Sequence, residues 1–215
     1  MVYDLIRAFA RPVVVWLFRA RAFDIHNVPA TGAAILAPNH FSYMDHFFAA
    51  VPLRRRVQFM AKSQLFTGVM GRVYSHGGVF PVRRGQRDED AFATANAVLE
   101  RGGLVLMYAE GGRSRTGALG RPRSGVGRLA LETGLVVVPT AIVGSARIRQ
   151  WRRLRFPRVT VRYGEPMSFD RVEAPSREQA QDASEAIFAR VRAMYDELEA
   201  APPASPARTP RHSRP

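Results

Sequence analysis

The sequence predicts an α/β fold. A single layered domain is expected, with a central mostly parallel or mixed sheet flanked by helices and an amphipathic helix at the N-terminus. Three observations predict it. Apolar runs of strand length alternate with segments of helical period, the pattern of a layered α/β chain. Two of the runs, Leu104–Tyr108 and Val136–Ala141, are almost continuously apolar, as strands covered on both faces are. The chain has 215 residues and is 47% hydrophobic, enough for one substantial core.

Each element has its own local reason. Residues 2–21 place Val2, Leu5, Ile6, Phe9, Val13, Trp16, Leu17 and Ala20 at spacings of three and four, an amphipathic helix that Pro12 is expected to kink. Phe23–Val28 and Ala33–Ala37 read as strands, the second ending at Pro38. Ser42–Ala50 reads as a helix, Val57–Ala61 as a strand, Leu65–Tyr74 as a helix and Gly78–Val82 as a short strand. Asp88–Glu100 has acidic residues in its first turn and Gly102 just past its end, the signature of a complete helix. A helix over Val126–Glu132 separates the two continuous apolar strands. Val159–Tyr163 is a further strand, and Ser176–Glu199 a long amphipathic helix with Ser176 as its cap. Residues 1–22 therefore form the N-terminal helix, 23–200 the main domain, and 201–215 a proline- and arginine-rich tail expected to be disordered.

Charge narrows the partners. The formal net charge is +14, which calls for something anionic: a nucleic acid, an anionic membrane or a phosphorylated substrate. Of the 32 basic residues only Lys62 is lysine, so arginine count alone says little, whereas the one lysine is either a required compact ammonium or an ordinary surface residue. There is no cysteine, which excludes disulfides and thiolate metal sites. No run of about 18 apolar residues exists, and the short run Val13–Phe18 between arginines is a poor signal peptide. Basic residues beside Trp16 and Phe18 suit a helix lying in a membrane interface, and packing on the domain's own core suits the same pattern. A peripheral or monotopic place on the cytoplasmic side of the cell membrane is expected.

Four segments carry chemistry. In Asn39-His40-Phe41-Ser42-Tyr43-Met44-Asp45 a histidine stands at a strand end with a carboxylate five residues on. On one continuous helix the two would lie about 140° apart, so they meet only if His40 precedes the helix and Asp45 sits in its first turn. That pair is the minimal kit for taking a proton from a hydroxyl. Ser42-x-x-Asp45 is equally a capping box, so Asp45 has a purely structural alternative. Second, Gly77-Gly78-Val79-Phe80-Pro81-Val82-Arg83-Arg84 is a strand ending in arginines. Third, Glu110-Gly111-Gly112-Arg113-Ser114 follows the strand Leu104–Tyr108. A glycine-rich turn there lets backbone N–H groups approach a phosphate, and arginine forks bind its oxygens in pairs, although neither a Walker loop nor a dinucleotide fingerprint is present. The fourth segment is the strand Val136–Ala141, interrupted by Pro139.

Their order is the stronger signal. The chain resembles the glycerolipid acyltransferase family, the family of 1-acylglycerol-3-phosphate acyltransferases, over about residues 25–165. Asn39, His40 and Asp45 match its Asn-His-x4-Asp block. Gly78 and Arg83 match a glycine-rich strand ending in arginine. Glu110, Gly111, Arg113 and Ser114 match in part a Phe-Pro-Glu-Gly-Thr-Arg-Ser block, and Val138 and Pro139 a Val-Pro block. Lys62 falls in an Ala-Lys-x-x-Leu-Phe segment where the family often has lysine. Ala109 and Gly112 depart from the family's proline and threonine.

The resemblance implies acyl transfer to a lysophospholipid hydroxyl, with 1-acyl-sn-glycerol 3-phosphate as the first acceptor and a lyso-glycolipid or aminoacyl lipid as alternatives. It implies His40 as base and Asp45 as its orienting partner. Lys62, Arg83, Glu110, Gly111 and Arg113 would form the phosphate site, Glu110 by orienting a neighbouring arginine. No metal and no cofactor is expected; acyl-coenzyme A or acyl carrier protein is the donor substrate. The apolar residues Phe47, Phe48, Val51 and Leu53 suit an acyl channel or plain core. Residues Arg147–Arg158, with six arginines around Trp151, suit an anionic membrane surface. The remote alternative, a nucleic-acid-binding module stacking on Trp151, leaves the ordered blocks unexplained, so no nucleic acid partner is expected. Oligomeric state is not readable.

Overall fold

The computed structural model describes residues 2–62, 79–82, 89–114, 116–148 and 156–201, with the backbone alone for 60–62 and 79–82. The expected helix Leu65–Tyr74, the arginine Arg83, the centre of the 147–158 basic run and the tail beyond residue 201 lie outside the described residues.

Seven strands form one mixed sheet: β1 (Arg21–Phe23), β2 (Ala34–Pro38), β3 (Val57–Lys62), β4 (Val79–Val82), β5 (Leu104–Leu106), β6 (Val137–Val143) and β7 (Thr160–Tyr163). Their order is β1-β7-β6-β2-β5-β3-β4. All neighbouring pairs are parallel except β6 with β7. Five helices accompany them among the described residues: α1 (Val2–Pro12), α2 (Asp45–Ala50), α3 (Glu89–Glu100), α4 (Gly125–Thr133) and α5 (Arg177–Ala200).

The side-chain alternation of β2 shows how the two faces are filled. Ala34 and Leu36 join Leu104, Leu106, Val138 and Ile142 on one face, covered by Phe48 of α2 and by Val14 and Phe18 beyond α1. Ile35 and Ala37 join Val105 and Val137 on the other, under Phe92 and Ala95 of α3, Leu129 of α4 and Ile187 of α5. Every residue of β2 is thus buried, which a two-sided sheet requires of a central strand. Each fully buried Leu or Ile contributes about 1.5–3 kcal/mol over an exposed one. Helices α4 and α5 meet closely at Gly127, where a Cβ would stand 2.1 Å from the Ala180 carbonyl oxygen.

Most of the expected elements form within one or two residues. Ser176 caps α5 in a full capping box with Gln179. Pro12 ends the regular part of α1, and one π-type turn, Val13–Leu17, follows. Tyr3 is buried with its hydroxyl accepting from Val57 N, while Leu5, Phe9 and Trp16 point to solvent.

Two elements differ. The expected strand Phe23–Val28 is β1 followed by a 3-10 turn, Ile25–Asn27, because Asp24 takes a left-handed φ of 57° and its carboxylate accepts from Arg162 Nε. The expected helix from Ser42 begins at Asp45, because residues 41–44 are held in a turn by the Asp45 carboxylate itself.

Candidate functional site

The site is built beyond the carboxyl ends of β2 and its two parallel neighbours, where open α/β sheets present their loops. After the last β2–β6 pair, Pro38↔Thr140, the wholly buried Asn39 amide takes the place of the next rung. Its Nδ2 donates to Ile142 O at 3.0 Å, and its Oδ1 accepts from Ile142 N at 2.7 Å. On the other side, β2 pairs with β5 at a sequence offset of 70, and that offset runs past the strands. His40 N donates to Glu110 Oε1 at 2.9 Å, and Ser114 N donates to His40 O at 2.8 Å. The backbone around His40 is therefore clamped to both neighbouring strands.

The imidazole is held as firmly. His40 Nδ1 lies 2.9 Å from Asp45 Oδ2. The same oxygen accepts from Phe41 N at 2.6 Å and Ser42 N at 2.7 Å. Asp45 is fully buried and the His40 side chain is 14% exposed. The Tyr108 ring stacks on the imidazole, centroids 3.6 Å apart and planes 10° from parallel. An ionised carboxylate at Nδ1 selects the tautomer with the proton on Nδ1, an assignment from the network that leaves the Nε2 lone pair free. The expected capping box does not close. Ser42 Oγ accepts from Met44 N, and Met44 stands at the helix cap. The Asp45 carboxylate instead gathers the turn and the imidazole together.

Glu110 faces inward. Oε1 takes the His40 N–H and Oε2 the Gly120 N–H at 2.9 Å. Burial raises its carboxyl above the usual range against the opposing pull of those two bonds. Glu110 braces two backbone segments, and among the described residues no arginine bonds to either of its oxygens. Gly120 must be small, because a Cβ there would stand 2.7 Å from Glu110 Oε2. Gly111 adopts a positive φ of 63° in the turn that follows. Arg113 turns back toward the His40–Asp45 loop, where Nη2 donates to Tyr43 Oη at 2.6 Å and the guanidinium lies 3.4 Å above the Tyr43 ring.

The structure thus brings His40, Asp45, Glu110, Gly111 and Arg113 together. Lys62 closes β3, whose neighbour β5 leads into the Glu110 turn, but its side chain lies outside the described residues, as does all of Arg83. Sequence reasoning missed Tyr43, Tyr108 and Gly120, and gave Asn39 no task. The signal for Tyr108 was its place two residues before Glu110, just past the end of the strand β5 that runs beside β2. Nothing local marked Gly120. Among the described residues no cluster of three or more His, Asp or Glu side chains is placed to hold a metal ion.

A mixed-sheet α/β domain carrying a His–Asp pair and an arginine at its strand ends is a recognisable class. The family model Acyltransferase matches residues 20–143, and the chain belongs to that family. Among its relatives is a chloroplast 1-acyl-sn-glycerol-3-phosphate acyltransferase of Arabidopsis thaliana, 29% identical over 128 residues, which are 58% of this chain and 36% of that protein. A 1-acyl-sn-glycerol-3-phosphate acyltransferase of Cocos nucifera is 28% identical over 145 residues, 64% of this chain and 46% of that protein. The chain spans little more than a third of the length of the chloroplast relatives it matches. The crystal structure of the 1-acyl-sn-glycerophosphate acyltransferase from Thermotoga maritima shares the fold. Its TM-score is 0.74 at 22% identity, covering 94% of this chain and 81% of that one.

Proposed function

We propose that this enzyme transfers a fatty acyl group from acyl-coenzyme A or acyl carrier protein to the free hydroxyl of 1-acyl-sn-glycerol 3-phosphate, giving phosphatidic acid. The observation that carries the reading is the His40–Asp45 pair, with Nε2 free at the strand end beside Arg113. Nε2 takes the proton of the acceptor hydroxyl as its oxygen attacks the thioester carbonyl. The tetrahedral intermediate collapses with cleavage of the C–S bond, and the Nε2 proton passes to the leaving thiolate. Asp45 stays ionised throughout and steadies the imidazolium. The substrate hydroxyl fills the place of an enzyme serine, so no acyl-enzyme forms. Arg113, with Lys62 and Arg83, holds the acceptor phosphate, while Glu110 and Gly111 hold the turn that carries Arg113.

The lipid acceptor lives in a membrane, and the N-terminal segment suits one. Trp16 is 79% and Phe9 72% exposed, with Leu5 beside them and Arg7, Arg11 and Arg19 along the same segment. Among the described residues no helix is long and apolar enough to cross a bilayer. We read the exposed aromatic and basic side chains of this segment as suited to docking peripherally on an anionic cytoplasmic leaflet.

The test is to incubate the purified protein with mixed lysolipids and acyl-coenzyme A and to identify the product by mass. Phosphatidic acid is expected, and His40→Ala abolishes its formation while the protein stays folded. A product formed only from a lyso-glycolipid or aminoacyl lipid would overturn the acceptor assignment. Full activity in His40→Ala would overturn the mechanism.

A further inference from the structure

We infer that Tyr108 is a positioning residue for the base, its ring forming the π face against which the His40 imidazolium develops. The inference rests on His40 acting as the base. A cation over an aromatic face is stabilised by the ring quadrupole. Here the stack is close and nearly parallel, 3.6 Å and 10°. Asp45 fixes one edge of the imidazole and Tyr108 fixes its plane, and Nε2 has no hydrogen-bond partner among the described residues.

The ring does this work, not the hydroxyl. Tyr108 Oη is buried and has no partner among the described residues. Burial, helped by the charge of Asp45, keeps the phenol protonated. The other titratable groups around the imidazole are Asp45 at Nδ1, Glu110 at its backbone N–H, and the neighbouring His46 on α2. None of these contacts involves the Tyr108 ring, so a change confined to position 108 leaves them in place.

The experiment compares Tyr108→Phe, which keeps the ring, with Tyr108→Leu, which removes it. The first readout is the NMR titration of the His40 imidazole, assigned by its absence in His40→Ala, and needs no substrate. The second is acyl transfer with separate KM values for acceptor and donor. Tyr108→Leu is expected to lower the titration midpoint by roughly 0.5–1 pH unit. It is also expected to lower kcat several-fold while both KM values stay within about twofold, since the ring acts on the imidazole. Tyr108→Phe is expected to match the parent in both. An unchanged midpoint in Tyr108→Leu overturns the inference. So does Tyr108→Phe falling as far as Tyr108→Leu, which would put the work on the hydroxyl. If the parent protein transfers no acyl group to lysolipids, the acceptor assignment fails, and the titration still decides the role of the ring.

Discussion

Replacing Asn39 by alanine isolates the clamp that places the base. The amide is wholly buried, and both of its polar atoms bond to the backbone of one residue, Ile142. Alanine leaves the Ile142 N–H and C=O without those partners between two strands that exclude water. An unmade buried hydrogen bond costs about 1–3 kcal/mol per group, so the pair amounts to roughly 2–6 kcal/mol. For a domain of this size each kcal/mol moves the Tm by about 2–4 °C, and a fall of roughly 4–24 °C is expected. Asn39→Asp should be at least as damaging: one carboxylate oxygen keeps the N–H bond, but the other faces the Ile142 carbonyl with a buried charge and no donor. His40 is the next residue, so a shift of the strand end displaces Nε2. A misplacement near 1 Å can cost about 100-fold in rate. Thermal unfolding followed by circular dichroism, with acyl transfer measured well below the Tm, tests both parts. An Asn39→Ala protein that unfolds within about 1 °C of the parent and retains its kcat would refute the clamp.

Asp45→Asn keeps a carbonyl oxygen facing Phe41 N, Ser42 N and Nδ1 but removes the charge that steadies the imidazolium, so kcat should fall by about 10–100-fold with little change in KM, as single-turnover acyl transfer would show. Arg113→Ala removes one charged fork, and the acceptor KM should rise about 10–100-fold while the donor KM stays put; equal effects on both would take Arg113 out of the phosphate site. His46, half-buried against Phe47 and Phe59, has its imidazole held down by desolvation at about 4 against an ordinary value of 6.5. The unfolded chain then takes up a proton that the folded protein refuses, so stability is full above pH 6.5 and is lost as pH falls toward 4. Glu110, held above its ordinary value of 4.5, works in the opposite sense, its contribution being present at low pH and lost as pH rises through its raised value. Comparing Tm against pH for the parent and His46→Phe cancels the Glu110 contribution; an equally steep acid loss in both would show that His46 does not carry it.

The sheet was legible because its strands announce themselves by continuous apolar runs, and a buried strand leaves few alternatives for residues such as Leu36, Val105 and Val138. The His40–Asp45 pair was legible for a narrower reason: only a non-helical turn between them lets the two meet, and Ser42 already marked a break there. What the sequence did not show depends on contacts distant along the chain. Glu110 looked like a residue of an arginine-bearing loop, yet its oxygens hold His40 and Gly120, 70 and 10 residues away. Asp24 ended a strand that its apolar neighbours predicted to continue, because its carboxylate had a partner 138 residues later in Arg162. The capping box was a correct local pattern with a different outcome: Ser42 and Asp45 both bond backbone N–H groups, but the third donor to Asp45 is the imidazole.

The proposed mechanism asks the base to work without an enzyme nucleophile to hold it. In a serine triad the hydroxyl lies within the protein and helps define where the imidazole points. In the proposed reaction the hydroxyl arrives with the substrate, so the imidazole must be fully positioned beforehand by groups that never react. The register of β2 against its two neighbours supplies this. Asn39 and Glu110 extend the ladders on either side by one further rung each, Asp45 fixes Nδ1, and Tyr108 fixes the plane. A slip of β2 by one residue would reverse every side chain on it and send His40 to the opposite face. The same buried alternation that makes Ile35 and Leu36 pack on opposite faces is therefore what keeps the imidazole at the sheet end, where the proposed reaction needs it.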